Sequence, residues 1–543
     1  MSKKKTNFNK KFFIWFFAGY ALAAIYVLFI YSPDVARQKP AFSSKYGDFL
    51  AAQHAMYVND FDKSVEFTKN LGDIEYKTVK NTRISAEFMA GKLPSNVQEL
   101  AKEKSSPARL MYDAYLVTNE KWDDLYNRHI KDTSPFYEPM RIWSGVAKNR
   151  ITEAIKHIDS LDTNSSWKAF MRGQIYSQTG KIDRAAKEFS SVAPDFMNLN
   201  DYIYIMSFYR AHNFNDLADK LRSEYTSDAA GLFMINYDDI PDWSVFTGIK
   251  NSMAFDILQT ISHTKILLYT DISVLMLRFA QIVADETPFF KDSVNYFIGR
   301  FLYNTEGDYT KYFAAISKES PYYLFAQMRI AEQDNSIAEM KKILKQEPLF
   351  IFALNRVVAY HTQHGERRSA LRALNRALRN EKITQKARAY LLEKRASVYL
   401  TFGDTEHAQK DLFAVRDLDI DNTKSVNFMF LQAKTWTKNQ YDLDIAYDFT
   451  MNLIKNNPTE VSFWDLLGEI VLIREGHNAA MEIYERIGAS AQECSSLFEH
   501  LGDRYSHIGN KIKARNAYQR AIDLSDDGLV IVSEIEKKLR KLK

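Results

Sequence analysis

The sequence predicts an all-α protein: a stack of antiparallel helix pairs preceded by one transmembrane helix. Three observations support this. Glycine (19) and proline (12), which end helices most effectively, are scarce among the 543 residues. Residues 12–31 carry no charge. Near the carboxyl end the sequence repeats itself, because residues 461–494 align without a gap with residues 495–528.

The uncharged stretch FFIWFFAGYALAAIYVLFIY at 12–31 is long enough to cross a bilayer. At about 1.5 Å per residue, such a helix spans roughly 30 Å. A cleaved signal peptide would have a shorter apolar region and a small residue where Asp34 stands, two positions before Ala36. We therefore expect an uncleaved transmembrane anchor, followed by a linker at 32–44.

The charge on either side of this stretch predicts its orientation. Residues 1–11 carry five lysines and no acidic residue, so they form a basic tail. The positive-inside rule places this tail in the cytoplasm. The expected location is the inner (plasma) membrane, single-pass, with the body on the outer or periplasmic side. A body that faces the cytoplasm is the alternative.

The overall charge and the cysteine count exclude several classes of partner and site. The net charge is +4, and the five lysines of the tail exceed it, so the rest of the chain is close to neutral. Such a body lacks the concentrated basic face that nucleic-acid binding needs. A single cysteine, Cys494, excludes an internal disulfide and a cysteine-cluster metal site.

The repeat has a recognisable pattern of bulky and small residues. The two carboxyl-terminal units align Trp464 with Phe498, Leu467 with Leu501, Gly468 with Gly502, Ala480 with Ala514, and Tyr484 with Tyr518. The last unit adds Tyr505 and Ala521, and residues 166–199 contain Gly173, Tyr176, Ala185 and Phe189. This pattern resembles the tetratricopeptide repeat, in which small residues let two antiparallel helices pack closely. Sel1-like or HEAT repeats are the structural alternative.

The resemblance implies an α-solenoid, a right-handed superhelix of antiparallel helix pairs. We expect repeat-like helices at 45–230, degenerate helical repeats at 231–316, repeats at 317–528 and a capping helix at 529–543. The expected units of the third region lie near 317–350, 351–384, 389–422, 427–460, 461–494 and 495–528.

Motifs for catalysis or metal binding are weak. The sequence has no phosphate-binding glycine loop and no nucleophile elbow. His361 and His364 lack an evident third ligand, and His500 and His507 have no recognisable nucleophile beside them. We therefore predict a protein that is not an enzyme, with no catalytic residue, metal or cofactor. An enzyme with an unrecognised site at 231–316 is an alternative, which a non-helical insert there would favour.

The resemblance also implies where a partner would bind. Ligands of tetratricopeptide proteins usually lie in a concave groove lined by the first helix of each unit. The corresponding positions here are Phe428, Leu431, Thr435, Asp465, Glu469, Glu499 and Asp503. The four carboxylates predict an acidic patch suited to a basic peptide, with an ordinary solvated surface as the alternative.

The predicted function follows from the anchor and the groove together. We expect a membrane-anchored scaffold or adaptor that holds other proteins or peptide segments, in the bacterial cell envelope. A cytoplasm-facing adaptor or receptor is the alternative that the opposite topology would require.

Overall fold

A computed structural model describes most of the chain after residue 44. The described residues are 45–72, 76–94, 96–102, 106–132, 137–225, 240–263, 271–284, 287–304, 308–381, 383–418, 425–488 and 494–542. All regular secondary structure in these ranges is helical. The chain divides into two compact units, Met1–Lys104 and Ser105–Lys543.

The described residues of the first unit form three helices and a short 3-10 segment. They are α1 (Lys45–Tyr57), α2 (Phe61–Asn70), α3 (Lys77–Met89) and the 3-10 segment Val97–Lys102. Helix α2 begins after Asp60, whose side chain accepts a hydrogen bond from the backbone N–H of Lys63 at 3.3 Å. The hydroxyl of Ser64 donates to the carbonyl of Ala52 at 2.9 Å, which fastens α2 to α1 inside the unit.

The second unit begins with four consecutive helix pairs. They are α4 (Ser106–Thr118) with α5 (Trp122–His129), α6 (Glu138–Ala147) with α7 (Ile151–Ser160), α8 (Ser165–Gln178) with α9 (Ile182–Phe189), and α10 (Leu199–Ala211) with α11 (Asn215–Glu224). Helix α10 begins with a capping box, in which Asn198 and Asp201 each accept a bond from the other's backbone N–H.

The described part of 231–316 is also helical. It contains the 3-10 segment Trp243–Phe246 and the helices α12 (Ile249–His263), α13 (Asp271–Val283), α14 (Pro288–Asn304) and α15 (Thr310–Ala314). Within the described residues of this stretch there is no non-helical domain. The described residues of this stretch therefore provide no non-helical insert of the kind that would favour the enzyme alternative.

The rest of the second unit contains six more helix pairs and a terminal helix. The first three pairs are α16 (Tyr323–Gln333) with α17 (Ile337–Gln346), α18 (Ile351–Gln363) with α19 (Arg367–Leu378), and α20 (Gln385–Thr401) with α21 (Thr405–Asp417). The last three pairs are α22 (Val426–Lys438) with α23 (Leu443–Asn456), α24 (Val461–Glu475) with α25 (His477–Gly488), and α26 (Ser495–His507) with α27 (Lys511–Asp523). The 3-10 segment Ser525–Asp527 and the terminal helix α28 (Val532–Lys541) follow them.

These later pairs pack as a continuous stack. Each second helix contacts the first helix of the next pair, and the first helices α20, α22, α24 and α26 also contact one another in order. One helix pair cannot bury both of its apolar faces, so each pair is stabilised by its neighbours. The first helices therefore share one side of the stack.

Close contact between the two helices of a pair depends on glycine. A Cβ atom added to Gly173, Gly468 or Gly502 would lie 2.5 Å from the ring of Phe189, Tyr484 or Tyr518, respectively. Each of these rings comes from the second helix of the same pair. The glycine of the first helix therefore makes room for the aromatic ring of the second.

The turn within many pairs uses a left-handed backbone residue. Gly180, Gly403 and Gly509 follow α8, α20 and α26 with φ of 72°, 74° and 77°. Asn149 and Asn213 take the same place after α6 and α10, with φ of 61° each. Glycine and asparagine adopt this conformation at the lowest cost, so they end the first helix and reverse the chain.

The lengths and apolar character of the described helices contradict the predicted membrane location. Among the described residues, no helix is both long enough and apolar enough to span a bilayer. The longest, α14 and α20, have 17 residues each, against about 20 apolar residues for a typical span. The predicted anchor at 12–31 lies outside the described residues. The expected inner-membrane location with a periplasmic body is therefore withdrawn.

Candidate binding groove

A cavity of about 1090 Å³ lies along the first helices of the later pairs. Helix α20 provides one wall through Lys394 and its neighbours. The first turns of α22 and α24 and the start of α26 provide most of the remainder. Asp527 and Leu529, after α27, complete the lining.

Three helices begin at the cavity, so their unpaired backbone N–H groups lie near it. Ser425 caps α22 by accepting a hydrogen bond from the N–H of Phe428 at 3.0 Å. Glu460 caps α24 and accepts from the hydroxyl of Ser462 at 2.7 Å. Helix α26 begins after Cys494, whose side chain makes no capping bond. Helix starts carry partial positive charge, which favours anionic groups nearby.

Two lysines of the cavity lining form no close ion pair with a described residue. Lys394 and Lys434 form no ion pair with any described residue, although both are partly buried. Burial lowers the pKa of Lys394, and the nearby carboxylate of Asp527 opposes that effect. The Lys434 ammonium lies 5.6 Å from the centre of the Phe430 ring. Lys434 in turn acts on the carboxylate of Glu469, so both cations lie in the field of a carboxylate of their own chain.

The carboxyl group beside Lys394 is engaged by neighbouring polar groups. Glu393 is buried, and it accepts hydrogen bonds from the Asn427 amide and from the Ser425 hydroxyl. Burial raises the pKa of Glu393 even though these two bonds favour the ionised form. Glu393 is therefore already engaged by two hydrogen-bond donors of its own chain.

The rest of the lining is largely apolar. Phe430 and Leu431 of α22, Val461 and Phe463 of α24, and Leu529 after α27 contribute to it. Such surface suits bulky apolar side chains, while the lysines and helix starts suit polar ones.

Of the predicted groove residues of α22, only Leu431 lines the cavity. Phe428 is partly buried and packs against a cluster that includes Ala396 and Leu400. Thr435 is fully buried, and its hydroxyl donates to the carbonyl of Leu431 at 2.7 Å. Phe428 and Thr435 therefore serve the packing of α22.

Two of the predicted carboxylates are joined by a histidine. Asp465 accepts hydrogen bonds from the Ser496 hydroxyl and from Nδ1 of His500, both at 2.7 Å. Nε2 of His500 lies 3.1 Å from a carboxylate oxygen of Glu469. Burial opposes the charge of His500, but the two carboxylates raise its pKa well above the ordinary value. Burial likewise opposes the charge of Glu469, but His500 lowers its pKa below the usual range.

The other two predicted carboxylates are paired with the terminal helix. Nζ of Lys538 lies 2.8 Å from Glu499 and 2.8 Å from Asp503. The hydroxyl of Tyr518 also donates to Asp503 at 2.7 Å. All four predicted carboxylates therefore have cationic partners in their own chain, and none of them lines the cavity.

The residues that the sequence analysis missed are Lys394 and Lys434. Neither lies at a groove position that the resemblance implied. The sequence shows only that α20 and α22 each carry a lysine at these positions, and lysines are common on any solvated helix. Only the fold shows that these lysines form no close ion pair and share a cavity with Asp527.

A segment after the last pair closes one side of the groove. We call residues 525–531 the C-terminal strap. A Cβ atom on Gly528 would lie 2.8 Å from Cα of Ala359 in α18, and one on Gly365 would lie 3.4 Å from the Ile531 side chain. Asp527 of the strap accepts bonds from the N–H of Ser495 at 2.9 Å and from its hydroxyl at 2.6 Å.

The histidines considered as metal ligands have other contacts. His361 is bonded through Nδ1 to Glu366 at 2.5 Å, and Nδ1 of His364 lies 2.8 Å from the carbonyl oxygen of Tyr360. In the part of the chain that the model describes, no cluster of three or more potential metal-ligating side chains occurs.

Solved structures similar to this chain include a tetratricopeptide repeat protein, a hetero-tetramer of the APC/C and a yeast protein. A tetratricopeptide repeat protein from Parabacteroides merdae is 16% identical, and the match covers 47% of this chain and 92% of that one, with a TM-score of 0.32. The Cut9–Hcn1 hetero-tetramer of the APC/C is 15% identical over 92% of this chain and 97% of that one, with a TM-score of 0.31. Yeast Tom70 is 12% identical over 87% and 96%, with a TM-score of 0.30.

The chain resembles tetratricopeptide repeat proteins. The helix pairs, in which a glycine of the first helix packs against an aromatic ring of the second, confirm the predicted resemblance at the level of the fold. No family model matches the sequence, and a search of curated proteins gives no match.

Proposed function

We propose that this protein is a scaffold that binds segments of other proteins in the groove formed by α20, α22, α24 and α26. The observation that carries the proposal is the 1090 Å³ cavity on these first helices. A stack of helix pairs holds this surface in place before any partner arrives, so binding needs little reorganisation.

The composition of the cavity supports a protein partner. Its apolar residues suit side chains of an extended segment, and its serines, lysines and helix starts offer hydrogen bonds to backbone or polar groups. Of the predicted groove residues, Leu431 is part of the proposed binding surface. We also propose that 45–230, 231–316 and 317–528 act as successive arrays of helical repeats, capped by 529–543.

Site-specific photo-crosslinking tests the proposal in the cells that make this protein. The crosslinking amino acid replaces Val426, which lines the cavity and is 43% exposed. The control replaces Phe413 of the second helix α21, which is 46% exposed and does not line the cavity. We expect discrete adducts with other proteins from position 426 and none of them from position 413.

Two results would contradict the proposal. One is the same set of adducts from both positions, since the groove would then have no special role. The other is the absence of adducts from position 426 while variants along the second helices give them.

A further inference from the structure

Another cavity, of about 340 Å³, lies where α17 packs beside the pair α18 and α19. We propose that this cavity, which we call the basic cleft, binds a small molecule that bears a phosphate group. Lys341, Arg372 and Arg376 would hold the phosphate. The basic cleft shares no lining residue with the groove formed by α20, α22, α24 and α26, so this inference is independent of the proposed function.

The first support is the set of cations in the lining. Lys341 comes from α17, and Arg372 and Arg376 lie one turn apart on α19. All three are exposed, and none forms an ion pair with a described residue. The guanidinium of Arg376 donates one hydrogen bond, to the carbonyl of Lys345 at 3.3 Å. Because an arginine offers a planar fork to two oxygens of one phosphate, two arginines and a lysine suit a dianion.

The second support is that no carboxylate lines the basic cleft. The acidic residues nearest to it in the sequence have partners of their own. Glu366, before α19, is bonded to Nδ1 of His361, and Glu339 is paired with a lysine of its own helix at 2.6 Å. Glu347 accepts a hydrogen bond from a backbone N–H at 3.1 Å. The positive charge of the lining is therefore complementary to a phosphate.

Two neutral groups of the lining can add hydrogen bonds. His361 is buried, and its Nε2 has no hydrogen-bond partner in the part of the chain that the model describes. Burial lowers the pKa of His361, Glu366 opposes this effect, and the charge of Lys341 adds to it. The field of Lys341 therefore reaches the imidazole from the neighbouring helix. The hydroxyl of Ser369, in the first turn of α19, also belongs to the lining.

The size of the basic cleft and its remaining lining favour a compact ligand. A volume of about 340 Å³ is near the lower end of the range of about 300–1,000 Å³ that small-molecule sites occupy. The other lining residues are apolar and suit a small apolar body beside the phosphate: Leu344, Pro348, Leu354, Val357 and Ala373.

Isothermal titration calorimetry of the full chain with four probes tests the inference. Phenyl phosphate carries a phosphate and a compact apolar body, inorganic phosphate carries only the first, and phenol carries little more than the second. Benzoate replaces the phosphate with a carboxylate. We expect phenyl phosphate to bind at least fivefold more tightly than inorganic phosphate or benzoate, and phenol not to bind. Added sodium chloride should weaken the binding of phenyl phosphate.

Matched arginine variants locate the site. Arg372→Gln and Arg376→Gln each remove one fork and should weaken the binding of phenyl phosphate at least fivefold. Arg372→Lys keeps the charge without the fork and should restore only part of the affinity. Arg368→Gln is the control, because Arg368 is exposed on the same helix and does not line the basic cleft. Since all three arginines are exposed, the variants should unfold at the wild-type temperature.

Four results would overturn the inference. They are failure of phenyl phosphate and inorganic phosphate to bind, equal affinity for phenol and phenyl phosphate, the same loss of affinity in Arg368→Gln as in Arg372→Gln, and binding only to phosphatidic acid vesicles or only to a phosphoserine peptide. The last result would assign the cations to a membrane or to a protein. None of them bears on crosslinking from position 426, which tests the groove.

Discussion

At the scale of single residues, small side chains set how closely two helices approach. In the last pair, the ring of Tyr518 lies against Gly502, and its hydroxyl is held by Asp503 at 2.7 Å. The ring therefore cannot swing away without losing a hydrogen bond to a charged group.

Gly502→Ala should destabilise the protein despite the higher helix propensity of alanine. The propensity gain is about 1 kcal/mol, whereas overpacking typically costs about 1–3 kcal/mol, so we expect a net loss of up to about 2 kcal/mol. Urea unfolding measures it. Gly488→Ala is the control, because its added Cβ would meet only a methyl group of Leu501 at 3.0 Å. Equal effects of the two substitutions would contradict the packing role of Gly502.

His500 should stabilise the fold most at mildly acidic pH. Its pKa is raised in the folded state, so its contribution is complete below the unfolded value of about 6.5 and is lost as pH rises through the folded value. The pKa of Glu469 is lowered, so its contribution is present above about 4.3 and is lost as pH falls. The pair therefore contributes most between these two limits.

His500→Gln should cost about 2–3 kcal/mol near pH 5.5, because Asp465 and Glu469 then lose their cation. The difference between wild type and variant should shrink as pH rises above neutrality. Thermal unfolding of both proteins at a series of pH values measures it, with exposed His364→Gln as the control. A difference that does not change with pH would contradict the assigned role of His500.

The sequence indicates packing residues better than binding residues. Gly468 and Gly502 could be found because their spacing to Tyr484 and Tyr518 repeats along the chain. The partner of Glu499 and Asp503 could not be found from the sequence. It is Lys538 of the terminal helix, and no local sequence pattern indicates this pairing. Lys394 could not be found either, because its lack of a close ion pair is a property of the folded groove.

At the scale of elements, the C-terminal strap links the last helix pair to α18. Gly528 has φ of 72° and lies directly against the backbone of Ala359. Arg356 of α18 lies 4.0 Å from Asp526 of the strap. The strap thereby positions Asp527 and Leu529 as part of the cavity wall.

Gly528→Ala should detach the strap from α18. The added methyl group would meet backbone atoms, which cannot move without shifting the helix, so the contact should lose about 1–3 kcal/mol. Hydrogen exchange should become faster at residues 525–531 while α20 to α26 keep their protection. Gly509→Ala is the control, because it has the same left-handed strain, with φ of 77°, but no atom within 4 Å of the added Cβ.

Unchanged exchange in the strap of Gly528→Ala would show that the contact with α18 contributes little. Faster exchange throughout the later pairs would instead show that the strap is needed for the whole stack.

At the scale of the whole molecule, the helical repeat fold was predictable because its signals recur along the chain. The units at 461–494 and 495–528 align with each other, and a residue with a left-handed backbone follows many first helices. The same local pattern therefore recurs along the chain. The partner is not predictable in this way. It depends on which charges the chain leaves unmatched, and that depends on contacts between distant residues.

Hydrogen exchange of the full chain, with and without a protein that co-purifies with it, tests groove binding most directly. Because α22, α24 and α26 begin at the cavity, binding there should slow exchange in residues 425–431, 459–463 and 494–498 and leave the second helices α21 and α23 unchanged. Slower exchange on α21 and α23, with no change at the three helix starts, would contradict the assignment of the groove as the binding surface.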